Sequence, residues 1–173
     1  MRGNRDVSFE WMLAEEGPGF RSDRPTGGRA WGLLRSDWVS FIGCCPQETM
    51  EVLTRDDALK AYNRIWEQFS LDHVPAGLDY FLFDSCVVCT RPVVLRWINH
   101  SMLGVDNGAI GPSAVELVRD LEPSRAALLV SQLSFSRRRR HKTEPGWYKW
   151  SQQWTNRVNR VQHRALKLIG MPA

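Results

Sequence analysis

Glu16 is the residue that the sequence places best for chemistry. Phe9, Met12, Leu13 and Glu16 follow one another at i, i+3, i+4 and i+7, the spacing of one helix face. The carboxyl therefore continues an apolar stripe, whereas Glu15 points elsewhere, and Gly17-Pro18-Gly19 ends the helix. A carboxyl on the apolar side of a helix C-terminus loses solvation and meets the negative end of the helix dipole, and both effects favour its uncharged form. An uncharged carboxyl near neutral pH is what a general acid needs to protonate a glycosidic oxygen. A glycine-rich loop directly after it would let a polymer come close. On the residues alone the competing role is structural, a helix-end glutamate bonded to a loop amide or to Arg21. Asp23 is the nearest second carboxylate: it is either the assisting group of a glycoside hydrolase or a solvated turn residue. Trp31 and Tyr62 offer flat faces that could stack on a sugar, but Tyr62 shares an apolar helical face with Trp66, so the core competes for it. Trp66 is expected in that core. Asp84 is expected to cap or brace rather than react.

The elements that must hold these groups are mostly helical. The first helix covers residues 7–16. Residues 17–32 are rich in Gly, Pro, Arg and Asp and read as a loop or short ribbon, with Trp31, Leu33 and Leu34 as its strand-like end. Short helices are expected around 38–42 and 47–53. Thr54-x-x-Asp57 is a capping box that opens a helix with Ala58, Ala61, Tyr62, Ile65, Trp66 and Phe69 on one side. Residues 78–88 are apolar nearly all round, which marks a central buried helix. Pro92 restarts the chain into residues 93–102, and shorter helices follow over 112–121 and 125–135. Trp147, Trp150, Trp154, Val158, Val161, Ala165 and Leu168 recur every three or four residues and predict a long amphipathic helix.

A chain of 173 residues with 43% apolar and 24% charged residues suits one globular unit and excludes a disordered chain. No stretch reaches the roughly 20 apolar residues of a membrane span. The polar residues 1–6 predict no secretory signal. Net charge is +4, which favours anionic partners. The block Arg137-Arg138-Arg139-Arg140-His141-Lys142 reads as a solvated basic loop drawn to envelope phosphates rather than a specific nucleic-acid site. Cys44-Cys45 and Cys86-x-x-Cys89 raise a zinc site, but the second pair lies in an apolar helical run, so buried free thiols fit better. No metal and no cofactor are expected. The four histidines show no mutual ligand spacing, and Asp106-Asn107-Gly108 is a turn without the further acids of a calcium loop.

The segment Met12-Leu13-Ala14-Glu15-Glu16-Gly17-Pro18-Gly19-Phe20, with Pro25-Thr26-Gly27-Gly28-Arg29-Ala30-Trp31-Gly32-Leu33, resembles the N-terminal signature of glycoside hydrolase family 108. These are lysozyme-like N-acetylmuramidases of phage endolysins and bacterial secretion-activator proteins. Residues 58–66, Val74-Pro75-Ala76-Gly77-Leu78 and Phe83-Asp84 resemble later elements of the same family. Trp97, Leu103-Gly104-Val105, Ile110-Gly111-Pro112 and Trp154-Thr155-Asn156-Arg157-Val158 resemble the predicted peptidoglycan-binding domain that follows in such proteins. The sequence departs from the pattern where Glu15 replaces a histidine, where Pro18 adds a residue, and where Arg29-Ala30 stands in place of a threonine. An amide usual after Phe-Asp is also missing, its place falling at residues 88–90.

The resemblance implies a mainly α, lysozyme-like domain with a small loop or β-ribbon near the active site. Residues 1–82 would form the catalytic region and 83–173 a helical peptidoglycan-binding region packed on it. It implies cleavage of the β-1,4 bond between N-acetylmuramic acid and N-acetylglucosamine, with Glu16 and Asp23 as catalytic groups. Phe20, Thr26, Trp31 and Tyr62 would lie against the substrate. The expected setting is a phage endolysin or virion-associated lysin, monomeric if free. It would reside in the host cytoplasm before release or travel with virion or tail proteins, and act on the cell wall. The rival expectation, motivated by the departures, is a non-catalytic wall-binding or virion structural protein on a degenerate hydrolase scaffold.

Overall fold

The computed structural model describes residues 3–22, 28–43, 47–104 and 113–171. Asp23, Thr26, Cys44, Cys45 and the 106–108 turn lie outside those residues. The architecture of the described residues is mainly α with one small antiparallel ribbon, as the sequence leads one to expect. Helix α1 spans Gly3–Glu16 and leads into strands β1 (Phe20–Arg21), β2 (Arg29–Ala30) and β3 (Leu33–Leu34). Then come α2 (Arg35–Ile42), α3 (Gln47–Val52), α4 (Arg55–Gln68) and a single 3-10 turn at Leu71–His73. The rest is α5 (Leu78–Val88), α6 (Arg91–Leu103), α7 (Ser113–Glu116), α8 (Pro123–Lys142) and α9 (Trp147–Ile169). The strands run β1-β2-β3, with Phe20 opposite Ala30 and Ala30 opposite Leu33.

Helix α4 starts at the expected box: the Thr54 hydroxyl accepts from the Asp57 amide, and the Asp57 carboxylate accepts from the Thr54 amide. Its apolar side reaches the core, where the rings of Phe9, Tyr62, Trp66 and Phe83 meet with centroids 5.0 to 5.8 Å apart. Helix α5 is the centre of the molecule. Every residue from Leu78 through Val87 is buried, and the helix packs against α1 and α4 as well as α6, α8 and α9. Position 82 lies inside it, so both halves of the sequence share this one helix. Gly77 caps its start at φ +83°, and a Cβ there would stand 2.2 Å from the Ala165 carbonyl of α9. Only glycine allows so close an approach.

Two elements differ from expectation, and the first is the helix expected over 112–121, which spans only Ser113–Glu116. The arginine block is not a loop but the last turns of α8, which continues to Lys142. Helical periodicity sends its members in different directions. Arg137 is completely buried, Arg138 bonds Asn159 and Gln162 of α9 at 2.8 Å each, and Arg139 and Arg140 remain exposed. A run of identical residues thus serves different surroundings, because each step turns the side chain by about 100°.

Candidate active site

Two adjacent glutamates end α1, whose last turn carries no basic residue of its own. Positive charge comes instead from α9, where Arg157, Arg160 and Arg164 lie at i, i+3 and i+7 on one face. Arg160 binds Glu15 in a fork, at 3.0 and 2.7 Å, and Arg164 adds a third contact at 3.1 Å. Burial would raise Glu15, but the Arg160 hydrogen bonds and the charges of Arg157, Arg160 and Arg164 outweigh it and hold its pKa below the ordinary value.

Glu16 is 6% exposed and pairs with Arg157 Nη1. Arg157 Nη2 donates to Asp84 at 2.9 Å, and Asp84 accepts from Arg137 Nη1 at 2.6 Å. The result is a chain of alternating charges, Glu16–Arg157–Asp84–Arg137, largely shielded from water. Two carboxylates face two guanidiniums, so the cluster balances only with both acids ionised. Complete burial would raise Asp84, yet Arg157 and Arg137 reverse this and hold its pKa below the usual range. Asp84 thus braces the fold through charge. The expectation of an uncharged Glu16 meets a direct counter-effect, since a guanidinium at hydrogen-bond distance favours the carboxylate.

The ribbon forms the other wall. Trp31 donates its indole N–H to the Leu53 carbonyl at 2.8 Å and its amide to Gly19 at 3.1 Å. Gly32 follows at φ +81°, and a Cβ there would lie 2.4 Å from Glu16 Cγ. The turn therefore rests directly on the glutamate stem. Gly32→Ala is expected to lower stability on the order of 3 kcal/mol, from the strained φ and the displaced carboxyl together. A denaturation midpoint within a few tenths of a molar of wild type would show that the turn has room to yield.

Of the sequence-derived site residues, the structure brings Glu16, Trp31 and Tyr62 together and places Phe20 on the adjoining strand. Phe20 and Trp31 are half-buried. Tyr62 corrects its expectation as a stacking platform. It is fully buried, its ring packs on Phe9 and Phe83, and its hydroxyl donates to the Trp31 carbonyl at 2.6 Å. A ring without an open face cannot receive a sugar. Burial, reinforced by the charge of Glu16, raises the Tyr62 pKa far beyond the physiological range, so it acts only as a donor that fixes the ribbon. Cys86 and Cys89 are free thiols raised by burial, and no three His, Cys, Asp or Glu side chains among the described residues are placed to hold a metal.

His141 lies at the far end of the cluster, 6% exposed and edge-on to Trp154 at 5.4 Å. Burial, helped by Arg137, Arg157 and Arg140 against Asp84, pushes its pKa from 6.5 down to about 3. The unfolded chain then takes up a proton below pH 6.5 that the folded chain refuses, so stability falls as pH drops through that window. The His141 share of the loss between pH 7 and pH 5 is about 2 kcal/mol. His141→Phe, which keeps a ring against Trp154, is expected to remove that share. Equal pH dependence of the urea midpoint in both proteins would assign the loss elsewhere.

No family model matches the chain, and no curated protein matches it by sequence. Among solved structures, SagA of Brucella abortus matches with a TM-score of 0.83 at 22% identity, over 98% of this chain and 97% of that one. The likeness runs from end to end through the helices and the ribbon alike, and it establishes that the two chains share a fold.

Proposed function

We propose that the protein hydrolyses the glycan strands of peptidoglycan at the β-1,4 bond between N-acetylmuramic acid and N-acetylglucosamine, with Glu16 as the reacting carboxyl. One observation carries the reading: Glu16 ends α1 beneath the ribbon turn, enclosed by Gly32 and Arg157, with the half-exposed Phe20 and Trp31 on the same ribbon. The ordered resemblance to family 108 muramidases and the shared fold with SagA support it. A carboxyl in this position can protonate a leaving glycosidic oxygen once it has taken up a proton, and the reaction needs water but no cofactor. Asp23 remains the proposed assisting carboxylate, and Thr26 a proposed substrate contact. Because Glu16 is 6% exposed, a strand reaches it only when the ribbon turn shifts away from the carboxyl.

That closure also favours a second reading, a wall-binding protein in which Glu16 is only the partner of Arg157. Purified sacculi separate the two. Hydrolysis lowers turbidity with wild type and not with Glu16→Gln, while both proteins sediment with the sacculi. Sedimentation without clearing by wild type would leave the binding reading alone. Mass spectrometry of borohydride-reduced fragments checks the bond, since a muramidase leaves the new reducing end on muramic acid.

A further inference from the structure

A groove lies away from Glu16, between α6 and α8, with α5 separating it from α1. Its volume is about 810 Å³. Arg96, Trp97 and His100 face it from α6, and Phe135, Arg139 and Arg140 from α8. The lining stretch of α8 runs from Ser131 to Arg140, roughly 14 Å at 1.5 Å per residue, and Thr143 just beyond the helix extends it. Such a groove suits an extended chain better than a single small anion.

Its electrostatics are one-sided. Arg140 is paired with Glu144 at 2.6 Å, but among the described residues Arg96 and Arg139 have no carboxylate partner and are exposed, and no described acidic side chain lines the groove. Phe135 is 67% exposed beside them, and Trp97 is half-buried. Two exposed guanidinium forks and two aromatic rings lining one groove call for a ligand that offers spaced carboxylates on a partly apolar chain. The sugar backbone of peptidoglycan is largely acetylated and gives these arginines little to pair with. Its stem peptides carry several carboxylates along an extended backbone with methyl and methylene groups.

We propose that the α6–α8 groove binds the acidic stem peptides of peptidoglycan, with Arg96 and Arg139 as carboxylate clamps and Trp97 and Phe135 as the apolar floor. The identity of the polymer rests on the function proposed above, while the preference for an acidic extended chain rests on the groove itself. The site gives the protein a hold on the wall that does not use the cleaved sugars.

The test titrates the full chain with synthetic Ala-γ-Glu-diaminopimelate tripeptide by calorimetry. Binding that weakens with added salt is expected, together with a loss of tenfold or more in Arg96→Ala/Arg139→Ala. Both arginines are exposed, and an unchanged melting curve confirms that the variant folds. Glu16→Gln should bind like wild type. Sacculi stripped of stem peptides by an amidase should retain less protein than intact sacculi. Absence of tripeptide binding, indifference to the double substitution, or equal retention on stripped sacculi would each overturn the proposal. So would preferential capture by an oligothymidylate or by phosphatidylglycerol vesicles. Tripeptide binding without sacculus clearing would sink the hydrolase reading and leave the groove standing, whereas clearing without tripeptide binding would do the reverse.

Discussion

Arg157→Met is expected to lower folding stability by about 3–5 kcal/mol, because it takes a guanidinium from buried Glu16 and leaves Asp84 with Arg137 alone. Glu16 and Asp84 both take a hydrogen bond from this guanidinium, and both are cut off from water. Methionine keeps an unbranched apolar stem but not the Nη2 contact to Met12 Sδ, so the loss reflects charge more than volume. Arg157→Lys restores one positive charge without the fork that reaches both acids, and should recover only part of the deficit. The pH dependence has a definite sign. In the methionine variant the two acids lose a positive neighbour and take up protons more readily than in wild type, so the gap to wild type should narrow as pH falls. Urea midpoints at pH 7 and pH 5 measure this, and a gap that stays constant would show that the acids had found other partners.

Glu16→Gln is expected to reduce sacculus clearing by about 10²- to 10⁴-fold, the usual worth of a positioned proton donor. The amide fills the same space but leaves Asp84 facing two guanidiniums, so the buried cluster carries one uncompensated positive charge. Some loss of stability therefore accompanies the loss of activity, and retained sedimentation and helical signal must be measured beside the rate. Wild type has its own signature. Arg157 favours the ionised form of Glu16, so the fraction able to donate a proton grows toward acid pH. Clearing should rise as pH drops below neutral and fall only when the acids that brace the fold are themselves protonated. A rate that is flat over that range, or that rises toward alkaline pH, would remove Glu16 as the proton donor.

Local patterns made much of the fold legible. The stripe from Phe9 to Glu16, the box at Thr54 and Asp57, the uniformly apolar run before Val88 and the tryptophan-to-leucine periodicity of α9 each depend on neighbours a few residues away. Those elements appear in the structure, and Glu16 is buried as its place on the stripe implied. What the same patterns could not provide was the partner. Arg157 lies 141 positions from Glu16, and no periodicity links them. Its face was readable, since Arg157, Arg160 and Arg164 share one side of α9, but arginines on a helix are ordinarily solvated. The same prior misplaced Arg137, whose burial depends on Asp84 in a helix about fifty residues earlier. Tyr62 shows the limit from the other side. Its apolar face and its hydroxyl were both visible, and only the position of the Trp31 carbonyl decides that the ring is sealed in the core.

The distance between Glu16 and Arg157 along the chain also sets a schedule for biosynthesis. While the ribosome is still making the middle of the protein, the first helix carries Glu15 and Glu16, and the arginines of α9 that bind them have not yet been made. Helix α1 can meet α4 and α5 earlier, but burying its last two acids is costly until α9 arrives. That late segment then brings three positive charges to the end of the first helix together.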